Sequence, residues 1–101
     1  MYYAKNKNSA DKNFNRAELD RILRYQKIRE NETSEERRIM DELEYHVVKC
    51  DERMVETNPF VKGNEYGDLH EYQLSHMRRT GLIEAMAIIK GISWNKMCDM
   101  T

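Results

Sequence analysis

Thr33-Ser34-Glu35-Glu36-Arg37-Arg38-Ile39-Met40-Asp41-Glu42-Leu43-Glu44 opens the stretch that decides the fold. Thr33 followed by Glu36 is a capping box, in which each side chain satisfies a backbone N–H at a helix start. Glu35 and Glu36 stand in the first turn, where the helix dipole favours acids. Met40, Leu43, Val47, Cys50 and Met54 then recur at spacings of three, four, three and four, a heptad seam. Ile39, Val48 and Val55 widen that seam on both sides. Thr57-Asn58-Pro59 ends it, because Pro59 cannot continue a helix and biases Asn58 away from helical backbone. The spacing predicts a helix over 34–57, roughly 35 Å long at ~1.5 Å per residue.

Downstream, Asn58 to Gly67 carries Pro59, Gly63, Asn64 and Gly67, a connection longer than a tight helical hairpin needs. Asp68 with Glu71 caps a further helix over 69–90. Its apolar residues form two stripes, Leu74-Met77-Gly81-Ala85-Ile88 and Leu82-Met86-Ile89. From Leu82 to Ile89 only Glu84 is polar, so that half is apolar nearly all round. Gly91 followed by Ile92 predicts a Schellman stop. Ser93 to Cys98 is expected to form a last helical turn, with Trp94 covering the hairpin.

Upstream, Asn15 with Glu18 forms another capping box, with Phe14 and Leu19 placed as a hydrophobic staple. It opens a short helix over 16–31, with Leu19, Ile22, Leu23, Tyr25 and Ile28 along one stripe. Residues 1–13 are polar, aperiodic and rich in Asn and Lys, and are expected to be a flexible basic tail. The fold class is therefore all-α: a short N-terminal helix and a long antiparallel helical hairpin, in one domain over 14–101.

Composition narrows the function classes. The 101 residues are 40% apolar and 35% charged, with one proline and four glycines. That suits a helical globule with a charged exterior. The net charge of −1 offers no field to draw in nucleic acid or an anionic membrane, so nucleic acid is an unlikely partner. No apolar run reaches the ~20 residues of a membrane span, and the start lacks a secretory apolar core. Cys50 and Cys98 are expected to be free thiols in a reducing cytoplasm. The second and third helices offer more apolar circumference than a short first helix can cover, so a second copy of the chain is the expected partner. Gly81 would let helices approach closely at that contact.

Catalytic constellations are sparse. Glu42, His46 and Cys50 share one helical ridge, but Cys50 belongs to the apolar seam and no second ligand pair follows, so no metal is expected. His70-Glu71 begins a zincin-like run, but Leu74 stands where the second histidine belongs. No phosphate loop, dinucleotide fingerprint or nucleophile elbow occurs. Neither an enzyme nor a cofactor is expected. Arg78-Arg79-Thr80 lies one turn before the apolar end of the third helix, beside Gly81. Two arginine forks and a hydroxyl there suit a phosphate-bearing ligand, or else the arginines pair with acids of the second helix.

The hairpin resembles a family of small phage proteins that sequester cyclic nucleotide signals of bacterial defence systems, the anti-CBASS and anti-Thoeris sponges. In that family the first hairpin helix reads Leu-Ser-x-Glu-Glu, three variable residues, then Met-Asn-Glu-Ile-Lys. Thr33 to Glu44 agrees in cap, acid pair, methionine, Asp41 and Glu42. The family's second helix reads Leu-Gln-x-Gly-x-Met-x-Leu-x-Arg-Ala, and Gly81 and the apolar residue that follows fit it. The family lysine falls on Glu44 and its arginine on Ala87, with Lys90 one turn on. The expected aromatic falls on Arg29, with Tyr25 one turn earlier. The resemblance implies a non-enzymatic, phage-encoded anti-defence protein of the host cytoplasm. Its oligomers would trap a cyclic nucleotide between protomers, with Arg78, Arg79, Thr80, Tyr25 and Arg29 as contacts. Two other readings stand beside it: a small helical inhibitor that binds a host defence protein directly, as anti-CRISPR proteins do, and a small regulator touching nucleic acid through its basic tail.

Overall fold

The computed structural model describes residues 9–101, with side chains from Asn15 onward. Four helices follow in order: α1 (Ser9–Arg29), α2 (Ser34–Thr57), α3 (Leu69–Lys90) and α4 (Trp94–Met100). No strand occurs among the described residues. No helix among them is long and apolar enough to cross a membrane.

Helix ends follow the local code. The Thr33 hydroxyl accepts the Glu36 N–H at 3.1 Å, and Asp68 accepts the Glu71 N–H at 3.1 Å. Gly91 takes the left-handed conformation at φ 66°, which costs a residue without Cβ little, and Ile92 N–H closes back on Ala87 O at 3.1 Å. Ser93 caps α4 by accepting the Lys96 N–H at 3.1 Å.

The first helix departs from the expectation. It begins at Ser9 rather than near residue 16, so Asn15 and Glu18 lie inside it and do not cap it. Nothing between Ser9 and Phe14 breaks a helix, and a capping pattern permits a start without imposing one. Of the expected tail over 1–13, residues 9–13 are therefore helical, while residues 1–8 and the Phe14 side chain lie outside the described part.

Helices α2 and α3 pack together, with Arg53 of α2 meeting Glu71 of α3 at 3.4 Å and Glu36 of α2 meeting Lys90 of α3 at 3.4 Å. Their core is Met40 and Val47 from α2, Ile83, Met86 and Ala87 from α3, and Met97 from α4. Tyr25 and Ile28 of α1 lean against it. The heptad seam of α2 points inward as its spacing requires, with Met40, Val47 and Cys50 buried. On α3 the buried face is Ser75, Ile83, Met86 and Ala87, not the Leu74-to-Ile88 stripe. Met77 is 67% exposed and Ile88 73%. Helix α4 also corrects the sequence: Trp94 is exposed, and Met97 and Met100 make the cover instead.

Both α1 and α4 lie toward one side of the hairpin. Arg21 donates to Met100 O at 3.1 Å, and Tyr25 Oη donates to Glu44 at 2.6 Å. At about 100° per residue, Glu44, Val47, Val48 and Asp51 share that side of α2, and His46, Lys49, Cys50 and Arg53 lie roughly opposite. Among the described residues the opposite side is left open.

Candidate functional site

The open side is a groove of about 580 Å³ whose lining, among the described residues, comes from α2 and α3. Cys50, Gly81, Leu82 and Ala85 form its apolar floor, and Ser75 closes one end. Lys49 and Arg53 from α2 and Arg78 from α3 form a cationic rim with His46 beside them. Among the described residues no carboxylate lines it. Lys49 meets Glu52 at 3.4 Å, and Arg53 pairs with Glu56 and, at 3.4 Å, with Glu71, all three acids standing outside the lining. Arg78 is exposed and has no ion pair among the described residues. Burial pushes the Cys50 thiol up, so it serves as a neutral part of the floor, not as a nucleophile.

A second groove, of about 550 Å³, runs between α1 and α2. Its two arginines, Arg29 and Arg37, face four acids: Glu30, Glu32, Asp41 and Glu44. Arg29 is fully engaged. Its Nε sits 2.9 Å from Glu32, one terminal nitrogen 2.7 Å from Asp41 and the other 3.1 Å from Glu44. These bonds, that to Glu32 foremost, raise its already high pKa further. Burial and the hydrogen bond to Glu44 push Tyr25 up, so it stays a neutral donor. Lys90 Nζ joins from α3, 2.9 Å from Glu32. The side chains of Glu32 and Lys90 are only 1% and 8% exposed, so the pair is a buried clasp between the α1–α2 turn and the end of α3. Burial alone would push the Glu32 carboxyl up; the bonds from Arg29 and Lys90 outweigh it and hold the group below the usual range.

The five residues singled out from sequence are therefore not gathered in one place. Arg78 faces the α2–α3 groove. Arg79, its neighbour, turns the other way, with Nε 2.5 Å from Asp51 and a terminal nitrogen 3.2 Å from Thr101 O. Pairing with an acid of α2 thus holds for Arg79 and not for Arg78. The Thr80 hydroxyl bonds His76 O of its own helix at 3.0 Å. Tyr25 and Arg29 belong to the acid-rich groove, where an anion would meet repulsion. Lys49 and Arg53 were missed, and His46 was weighed only as a metal ligand. Their signal was present: Lys49 and Arg53 are cations at i and i+4, each three residues after His46 and Cys50 on the same face. Among the described residues no three of His, Cys, Asp and Glu stand close enough to share a metal ion.

Fold and site together define an all-helical protein with, among the described residues, a cation-rimmed, apolar-floored groove between α2 and α3. No protein-family model, curated protein or solved structure matches the chain.

Proposed function

We propose that this chain is a non-enzymatic binding protein that sequesters a small anionic signal of the cyclic nucleotide class in the α2–α3 groove, as a phage anti-defence factor would. One observation carries the reading: among the described residues, three cations and no carboxylate line a groove with an apolar floor. Guanidinium forks and an ammonium hold phosphate, and the floor takes a base ring. Both walls belong to one chain, so the groove needs no second protomer to be complete. Self-association belongs to the same proposal but to other surfaces. Met77 and Ile88 are exposed on one face of α3, three turns apart, and offer apolar surface on which a second copy could pack. Thermal unfolding with cyclic GMP–AMP, cyclic di-GMP and cyclic ADP-ribose tests the reading. A ligand at a hundredfold its Kd adds about 2.7 kcal/mol, roughly 10 °C in Tm for a domain of this size. No shift with any of them would remove the reading.

A second reading, direct inhibition of a host defence protein, is favoured by the connection between α2 and α3. Asn64 Nδ2 donates to Glu56 O at 3.1 Å and Asn58 O at 2.9 Å, and Asn58 and Asn64 each accept a backbone N–H two residues on. This pinned loop holds Phe60 75% and Tyr66 71% exposed. Pre-organised aromatics of this kind act as interface anchors. Phe60→Ser with Tyr66→Ser should abolish inhibition on this reading and leave nucleotide binding unchanged on the first.

A further inference from the structure

Among the described residues nothing packs against Gly81 in a way that would require glycine. It lies in the middle of α3, and its φ is not among the positive ones, which belong to Gly63 and Gly91. A Cβ built on it meets nothing within 4 Å. A glycine inside a helix is less favourable than alanine, so both packing and propensity would admit a side chain here. The space it leaves opens on the α2–α3 groove, between Arg78 one turn before and Ala85 one turn after. Glycine at such a point serves a group that comes close to the backbone from outside.

Resting on the function proposed above, we infer that the ligand carries a planar heteroaromatic ring that lies against the α3 backbone at Gly81, over Leu82 and Ala85. Its phosphate is held by Arg78 on one wall and by Lys49 and Arg53 on the other. The base of the proposed nucleotide is thereby given one place in the groove, the aperture at Gly81. Inorganic pyrophosphate offers the charge without the ring, and would leave the floor and the Gly81 aperture unfilled.

The test compares the wild type with Gly81→Ala and Gly81→Leu by thermal unfolding and by titration calorimetry. The probes are the three cyclic nucleotides above and inorganic pyrophosphate. Without ligand both variants should fold with Tm equal to or above wild type, since the new side chain enters open space. Nucleotide affinity should fall about tenfold in Gly81→Ala and at least a hundredfold in Gly81→Leu, as side-chain atoms take the ring's place. Pyrophosphate should bind more weakly than the nucleotide and equally to all three proteins. If a nucleotide binds wild type and Gly81→Leu with the same affinity, the ring placement is overturned while the function stands. If pyrophosphate binds as tightly as any nucleotide, the ring is overturned likewise. If no nucleotide binds the wild type, the functional reading and the ring fall together.

Discussion

The two grooves differ little in size and greatly in what their charges do. Between α1 and α2, two arginines meet four acids, and the guanidinium of Arg29 is spent on Glu32, Asp41 and Glu44. That groove holds the molecule together. Between α2 and α3, the rim cations reach acids only outside the lining, and Arg78 reaches none among the described residues. That groove adds little to stability and offers positive charge outward. Counting arginines would rank the two alike; following each one to its partners separates them.

The largest effect expected from this contrast is at Glu32. Glu32→Gln removes the buried carboxylate shared by Lys90 and Arg29 but leaves Glu36 to Lys90 and Asp41 and Glu44 to Arg29, and should cost about 2 kcal/mol in denaturant unfolding. A loss under 1 kcal/mol would mean that the clasp is not structural. Acid should produce a related, smaller effect. The folded pKa of Glu32 lies below its unfolded value, so its contribution is complete above the ordinary carboxylate range of about 4.3 and is lost as pH falls through the folded value. Tm should drop steeply below about pH 4 in the wild type and more shallowly in Glu32→Gln. Tyr25→Phe removes a hydroxyl that donates to Glu44 at 2.6 Å and should cost about 1 kcal/mol. Smallest of all, Arg78→Glu should change stability by no more than about 0.5 kcal/mol, because it breaks no ion pair or hydrogen bond among the described residues. A large loss there would give the two grooves the same role.

Much of the fold was readable because helix ends are a local code. Thr33 with Glu36, Asp68 with Glu71 and Gly91 with Ile92 each specify a hydrogen bond between neighbours, and the structure makes each of them. The rotation of α3 was not readable. Its second half is apolar on almost every side, so no stripe announces which side faces α2, and tertiary packing chose Ile83, Met86 and Ala87. The site inherits that gap. Arg78 and Arg79 are neighbours in sequence and point about 100° apart on a helix. Until α3 is oriented, nothing says which one is tied to Asp51 and which faces the open groove. Tyr25 and Arg29 looked available because their acidic partners Glu32, Asp41 and Glu44 come from beyond the helix that carries them.

Titration calorimetry of cyclic GMP–AMP, cyclic di-GMP and cyclic ADP-ribose against wild type, Arg78→Glu and Arg37→Glu addresses the central claim most directly. Each variant reverses one cation, Arg78 in the α2–α3 groove and Arg37 in the α1–α2 groove. The account predicts that binding is lost in Arg78→Glu and kept within about twofold in Arg37→Glu, well under the 1.4 kcal/mol of a tenfold change. Loss in Arg37→Glu with retention in Arg78→Glu would place the ligand in the wrong groove and contradict it.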